Sequence, residues 1–101
     1  MVVVIVTHRA PKLEPGALRA LLEATAPSYR EVPGLRRKYF IGNGETAGGV
    51  YEWEDRRSAE RWFDEAWRAR MRDRYGIDPQ VDFYEAPALV DNVTGELLLD
   101  C

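Results

Sequence analysis

The chain has 101 residues, of which 46% are hydrophobic and 31% are charged. This length excludes a two-domain enzyme with a cleft between its domains and makes a large ligand cavity hard to enclose without a second subunit, and the composition excludes a disordered or fibrous chain. The net charge of −3 creates no overall positive field that would attract nucleic acid.

The first two predicted elements are a strand and a helix. The β-branched run from Val2 to Val6 predicts a strand, and because every position is apolar we expect both of its faces to be covered. A helix is predicted to begin at Pro15, since proline is favoured as the first helical residue. Pro27 removes a helical amide and predicts a kink or restart near Thr25. The apolar stripe of this helix consists of Leu18, Leu21, Leu22, Thr25 and Tyr29.

Two further strands are predicted on either side of a glycine-rich turn. They run from Leu35 to Ile41 and from Ala47 to Glu54, and Gly42-Asn43-Gly44 lies between them. The Asn-Gly pair is typical of a type I′ hairpin turn. Gly48 and Gly49 indicate a bulge or a close approach of two backbones.

A second helix is predicted to follow Asp55, which is a favourable N-cap residue. Asp64 and Arg68 have the spacing of an ion pair on its solvent side. Tyr75-Gly76 is predicted to end the helix. Its buried stripe consists of Ala59, Trp62, Phe63, Ala66, Trp67 and Arg70.

The C-terminal part contains one long strand and a tail. Val81 to Val90 predicts a fourth strand, and Pro87 within it requires an edge or a bulge. Val93 to Leu99 predicts either a short final strand or an arm that packs on a partner subunit.

The element order β-α-β-β-α-β predicts the α+β class, with a ferredoxin-like antiparallel sheet and two helices on one face. Two helices can cover only one side of that sheet, yet the first strand is apolar on both sides. Phe40 and Val50 also lie opposite the faces that carry Tyr39 and Tyr51. We therefore expect a homodimer with a sheet-on-sheet core. Residues 1–101 form one domain, in which 91–101 is a C-terminal tail.

Three blocks of this sequence are similar to those of a known family. They are Pro33-Gly34-Leu35 with Lys38-Tyr39, the run Ala47 to Trp53, and Asp55 with Ser58-Ala59. Together they resemble the YdhR-type monooxygenases of the dimeric α+β barrel superfamily, which also holds the antibiotic biosynthesis monooxygenases. The resemblance covers most of the chain and brings no catalytic motif that can be transferred residue by residue.

This resemblance implies a cofactor-independent monooxygenase that acts on a small aromatic or polyketide-like phenol. The phenol would lose its proton in a closed aromatic pocket and react directly with O₂ to give a quinone. No nucleotide or flavin fingerprint is present in the sequence, and no cofactor is expected.

The candidate site contains a base, a cation and an aromatic wall. His8 is the only histidine, so it is the natural general base, although it is equally compatible with a surface residue at a strand end. Arg37 is the candidate partner for a developing oxyanion, provided that the hairpin register brings its face together with the aromatic residues. The expected substrate-binding residues are Tyr29, Tyr39, Tyr51, Trp53, Trp62 and Tyr84.

Other functions fit the same residues. The aromatic side chains are also those expected of ordinary packing beneath a helix, so a non-catalytic barrel that binds a small hydrophobic ligand stays open. A cyclase or isomerase that uses the same pocket without redox chemistry stays open as well. One histidine and one terminal cysteine provide no pair at metal-ligand spacing, so no metal site is expected.

The compartment is predicted from the single cysteine and the first residues. Cys101 cannot form a disulfide within the chain, which fits a reducing, cytoplasmic environment. The apolar stretch Met1 to Val6 is too short to be a secretory signal or to cross a membrane, so no membrane association is expected.

Overall fold

The computed structural model describes residues 1–99, which form six strands, three α-helices and one 3₁₀ turn. Cys101, from which a reducing environment was predicted, lies outside the described residues. The strands are β1 (Val2–Arg9), β2 (Leu35–Gly42), β3 (Thr46–Trp53), β4 (Gln80–Glu85), β5 (Ala88–Asp91) and β6 (Glu96–Leu99). The α-helices are α1 (Pro15–Thr25), α2 (Arg56–Trp62) and α3 (Glu65–Tyr75).

The main sheet is antiparallel and has the strand order β2-β3-β1-β4. This order confirms the predicted ferredoxin-like arrangement. Strand β1 pairs on both edges, and its apolar stretch from Val2 to Val6 suits this central position, because a central strand is shielded from water along both edges. Val2, Val4 and Val6 are buried on the side that faces the helices, whereas Val3 and Ile5 are only partly buried on the other side.

Helix α1 begins at Pro15 and ends at Thr25, as predicted, and the 3₁₀ turn Ala26–Tyr29 follows it. The predicted burial of its apolar stripe is wrong, because no residue of α1 is buried and Leu18 is 50% exposed. The change of helical form at Pro27 redirects the chain, and Tyr29 is the residue of the stripe that packs on the core.

The predicted second helix is two helices, with a break at Phe63 and Asp64. Asp55 caps α2 by accepting a hydrogen bond from the Ser58 amide at 2.8 Å, as predicted. The Asp64 carboxylate likewise accepts from the Trp67 amide at 2.8 Å and begins α3. The predicted Asp64–Arg68 pair is therefore wrong, because a carboxylate that caps a helix points along the axis rather than across the next turn.

The break also changes which residues of this region are buried. Ala59 and Trp67 are buried as predicted, and Trp62 and Phe63 pack against the core, but Ala66 and Arg70 are exposed. Gly76 ends α3 in the left-handed conformation, with φ at 64°. No helix within residues 1–99 is long and apolar enough to cross a membrane.

The turn between β2 and β3 is not of type I′, which corrects the sequence prediction. A type I′ turn needs a positive φ at both central residues, whereas here Gly44 has a φ of 98° and Asn43 has a negative one. The Asn43 side-chain oxygen accepts hydrogen bonds from the amides of Glu45 and Thr46 at 3.2 and 2.8 Å. The Asn43 amide also donates to the Thr46 backbone oxygen at 2.9 Å, so Gly44 and Glu45 are the two central residues of the turn and Asn43 comes before them.

The predicted fourth strand is divided at Pro87. Strand β4 ends at Glu85, and β5 leaves the main sheet to pair with β6 as a separate two-stranded hairpin. The predicted strand within 93–99 is thus confirmed as β6, although it pairs with β5 alone. Because proline offers no amide to a neighbouring strand, the chain can leave the sheet at this point without losing a hydrogen bond.

Candidate functional site

The register of the hairpin divides its side chains between two faces of the main sheet. Lys38 lies opposite Tyr51, and Arg37 lies opposite Glu52, after an irregularity between Leu35 and Arg37. Residues directly opposite each other in antiparallel strands share a face. We call the side that packs against α2 and α3 the covered face; it carries Val2, Val4, Val6, Lys38, Phe40, Tyr51 and Trp53. The other side, the open face, carries Val3, Ile5, Arg37, Tyr39, Val50 and Tyr84.

This division corrects the predicted aromatic wall with Arg37 as its cation. Tyr39 lies opposite Val50, so it and Arg37 belong to the open face, whereas Tyr51 and Trp53 belong to the covered face. Tyr84 lies opposite Val3, which also assigns it to the open face. The expected juxtaposition is wrong because antiparallel pairing aligned the odd positions of β2 with the even positions of β3.

Six rings meet on the covered face and form what we call the aromatic cluster. Tyr51 and Trp53 lie parallel, with their ring centroids 6.1 Å apart. Tyr29 belongs to the 3₁₀ turn, and its ring packs on the cluster. Its centroid lies 5.7 Å from that of Phe40 and 5.6 Å from that of Trp62. The cluster consists of Tyr29, Phe40, Tyr51, Trp53, Trp62 and Phe63. It unites four of the predicted substrate-binding residues: Tyr29, Tyr51, Trp53 and Trp62.

A lysine occupies the position at which Arg37 had been expected. The Lys38 Nζ lies 3.6 Å from the ring centroid of Tyr29, 4.0 Å from that of Phe40 and 4.5 Å from that of Tyr51. No carboxylate oxygen within residues 1–99 lies within 4.0 Å of this nitrogen. The amine therefore lies among three ring faces, is partly exposed, and has no counter-ion in the described part of the chain.

Gly49 makes this enclosure possible. A Cβ atom at position 49 would lie 3.1 Å from the Lys38 Cε and 3.0 Å from a carbon of the Tyr51 ring. The alkyl chain of Lys38 thus passes over a backbone that has no side chain. Lys38 was not among the predicted site residues, although the alternation of side chains along a strand places it on the same side of β2 as Phe40.

Loss of water governs the protonation of this group. Burial lowers the pKa of Lys38 to about 7. Burial also raises the pKa of Tyr51, and the neighbouring Tyr29, to which it is hydrogen bonded, raises it further. The pKa of Tyr29 itself is raised by burial. The aromatic cluster thus combines two neutral phenols with an amine that exchanges its proton near neutral pH.

Two indole N–H groups of the cluster have no hydrogen-bond acceptor. The Nε1 atoms of Trp53 and Trp62 are buried and have no partner within residues 1–99. Buried donors are normally paired, because an unpaired one costs about 1–3 kcal/mol. Such donors can be satisfied by an acceptor oxygen of a bound molecule.

His8 belongs to the covered face but lies beyond the cluster. It is opposite Ala47 near the end of β1, and its Nδ1 lies 2.9 Å from the backbone oxygen of Arg9. Within residues 1–99 its ring makes no contact with any ring of the cluster. The predicted base and the predicted aromatic wall are thus on one face but do not touch.

On the open face, Arg37 is paired with two carboxylates. Its Nη2 donates to Asp91 at 2.9 Å, and its Nε lies 3.6 Å from Glu52. Hydrogen bonds from the Thr94 and Val93 amides hold the pKa of Asp91 below its usual range, and Arg37 lowers it further. These contacts tie the β5–β6 hairpin to β2, so the guanidinium charge is already compensated.

An open groove of about 620 Å³ runs beside α1, away from the aromatic cluster. Its walls include Pro15, Leu18, Leu22 and Pro27, and none of its lining residues belongs to the cluster. Within residues 1–99, no three His, Cys, Asp or Glu side chains lie together in a way that could hold a metal ion.

Comparison with known proteins identifies the fold. The sequence matches no protein-family model and no curated protein sequence. The structure is similar to the crystal structure of a putative antibiotic biosynthesis monooxygenase from Deinococcus radiodurans, with a TM-score of 0.67. The similarity covers 90% of this chain and 97% of that one, at 16% sequence identity. The two chains therefore share the α+β fold over nearly their whole lengths.

Proposed function

We propose that this protein is a cofactor-independent monooxygenase of the YdhR type, which oxidises a small aromatic or polyketide-like phenol with O₂ at the aromatic cluster. The observation that carries this proposal is the cluster itself, because six rings meet on the covered face and three of them lie around an amine that has no counter-ion within residues 1–99. The fold shared with a protein described as a monooxygenase supports the same class of reaction.

The reaction takes one oxygen atom into the substrate and reduces the other to water. The ring carbon para to the phenol oxygen gains an oxygen atom, and two hydrogen atoms leave the phenol as part of that water. The phenol is oxidised by four electrons to a quinone, and O₂ accepts all four. Removal of the phenolic proton comes first, since a phenolate gives up electrons to O₂ far more readily than a phenol does.

The chain contributes binding, exclusion of water and hydrogen bonding. Ring faces of the cluster can stack against a planar substrate at low conformational cost. The unpaired N–H groups of Trp53 and Trp62 can donate to a substrate oxygen. The ion pairs of Arg37 do not support the oxyanion role expected from the sequence, whereas His8 remains the sequence candidate for the base.

Oxygen uptake tests this function directly. Purified protein would be mixed with a panel of anthrones and of phenols whose para position is unsubstituted, in the presence of a chelator and without added flavin or nicotinamide. We expect uptake that Trp62→Phe reduces several-fold, because that variant keeps a ring and loses the N–H. Tyr84→Phe on the open face is the matched control and should leave the rate unchanged.

Two results would contradict the proposal in different ways. Tight binding of these aromatics without uptake would favour the non-catalytic binding module. Conversion of a substrate to its isomer without uptake would favour the cyclase or isomerase.

We also propose that two copies pack through their open faces. Tyr39 is 59% exposed and Tyr84 is 53% exposed on this face, and Ile41 is exposed beside them. Several large apolar side chains exposed on one face are typical of an interface. Sedimentation should give a dimer at micromolar concentration, and Ile41→Asp should shift it to a monomer. A wild-type monomer at that concentration would overturn the dimer.

A further inference from the structure

A partly buried amine among ring faces is the feature that the proposed function leaves without a role. Tyr29, Phe40 and Tyr51 approach the Lys38 Nζ from the 3₁₀ turn, from β2 and from β3. Lysine is rarely held away from water unless an acidic group accompanies it, and within residues 1–99 no carboxylate lies within 4.0 Å. An ordinary structural lysine would have such a partner or would extend into solvent.

We propose that Lys38 is the general base of this site and takes the proton of a bound phenol, the role that the sequence had assigned to His8. The proposal rests on the proposed function and names the residue that begins its reaction. The phenolic O–H bond breaks, a new N–H bond forms at Nζ, and the resulting ammonium stays beside the phenolate oxygen as its counter-ion.

The surroundings of Nζ suit both halves of this proton transfer. Loss of water lowers the pKa of Lys38 to about 7, so a large share of the amine is neutral at neutral pH. Once protonated, the ammonium is stabilised by three ring faces, each of which attracts a cation. A carboxylate at the same place would keep the amine permanently protonated and would prevent it from accepting a proton.

The other titratable groups of the neighbourhood do not replace Lys38. Tyr29 and Tyr51 have raised pKa values and stay protonated near neutral pH. From α3, Arg70 and Arg74 act on Tyr29 and lower its pKa slightly, while Tyr75 raises it. The His8 ring lies on the covered face at the end of β1, without contact to these rings.

The chromogenic phenol 4-nitrophenol tests the assignment, because its phenolate has an absorption band that the phenol lacks. Titrations would be carried out without oxygen and at neutral pH, where a large share of Lys38 is neutral and part of the free probe is still a phenol. Pairing with the new ammonium should lower the pKa of the bound probe by about one unit, so the ratio of phenolate to phenol should rise roughly tenfold on binding. Lys38→Met should abolish this band while the probe still binds to the rings.

The chain provides matched controls for this experiment. Lys12 is the one other lysine in the sequence and is exposed, so Lys12→Met should retain the band, and His8→Gln should retain it too. The assignment is overturned if the wild type gives no phenolate band, if Lys38→Met keeps it, or if His8→Gln loses it. Because O₂ is absent, failure of the proposed oxidation would show instead as missing oxygen uptake with the band intact.

A second measurement does not depend on the folding of a variant. Reductive methylation with ¹³C-formaldehyde labels both lysines and the α-amino group of the wild-type protein. NMR separates the α-amino signal by its chemical shift and then follows each lysine through a pH titration. The Lys38 signal should move near neutral pH and separately from that of Lys12. Titration of both lysines together would also overturn the proposal.

Discussion

The two faces of the main sheet use charged residues in opposite ways. On the covered face, Lys38 lies among rings without a counter-ion within the described part of the chain. On the open face, Arg37 is held between Asp91 and Glu52 and fastens the C-terminal hairpin. A compensated charge stabilises structure, whereas a partly buried amine without a counter-ion remains chemically reactive.

The comparison shows why the neighbouring residues Arg37 and Lys38 differ so much in role. Adjacent positions of a strand point to opposite faces, so a single step along the chain moves a cation from a polar network into an aromatic enclosure. Four experiments test how far the two faces differ, beginning with the one that should show the largest effect.

Removing a ring from the covered face should have the largest effect. Trp53 is completely buried, so Trp53→Ala should lower the free energy of unfolding by about 3–5 kcal/mol. Val93 is 96% exposed on the hairpin, and Val93→Ala should change it by less than about 0.5 kcal/mol. Chemical denaturation of both variants measures this free energy. Similar losses of stability in the two variants would contradict the predicted difference between the covered face and the hairpin.

A methyl group at position 49 should disturb the enclosure of Lys38. The Cβ of Gly49→Ala would press on the Lys38 chain and the Tyr51 ring, so we expect a loss of about 1–3 kcal/mol and a displaced Lys38 titration. Gly16→Ala in α1 meets no atom within 4 Å and should be neutral or slightly stabilising. Denaturant titration and lysine NMR would be compared for the pair, and an unperturbed Lys38 in Gly49→Ala would contradict the geometry.

The lowered pKa of Lys38 predicts a pH dependence of stability with a definite sign. Between pH 7 and about 10 the unfolded chain carries a proton on Lys38 that the folded chain has lost, so stability should rise with pH in this window. Allowing for the solvent that still reaches the side chain, the rise should be on the order of 1–2 kcal/mol. The difference between wild type and Lys38→Met isolates it from the tyrosines, and equal slopes would contradict it.

The smallest global effect is expected from the tether of the hairpin. The pKa of Asp91 is lowered in the folded protein, so the stability it provides is present above the usual aspartate range and is lost as the pH falls through the lowered value. Asp91→Asn should therefore speed hydrogen exchange in 88–99 at neutral pH. Exchange in β1 should stay unchanged, and acceleration throughout the sheet would show that the tether supports the whole fold.

Local sequence patterns were enough to predict most of the secondary structure and the fold class. The β-branched start of the chain, Pro15, the Asp55 cap and Gly76 each act through nearest neighbours, and all four predictions were confirmed. The break at Asp64 was missed because a capping aspartate and an aspartate in an exposed ion pair look alike in a helical pattern. Pro87 was recognised, but not that the chain leaves the sheet there.

The composition of the candidate site was predicted only in part. Tyr29, Tyr51, Trp53 and Trp62 were selected as aromatic residues at strand or helix spacing, and they do meet. Arg37, Tyr39 and Tyr84 were selected for the same chemistry but belong to the other face. Which of two alternating sets points inward depends on the pairing partner, and that partner is distant in sequence.

The sequence by itself determined the order of elements, the central place of the apolar β1 and the presence of many aromatic rings, because these depend on local propensity and on burial. Only the tertiary structure decided that Lys38, and not Arg37, meets those rings. The physical reason is the register of β2 against β3. This register sets Gly49 beneath the alkyl chain of Lys38 and turns Arg37 to the other face. There Arg37 donates a hydrogen bond to Asp91, a residue 54 positions further along the chain.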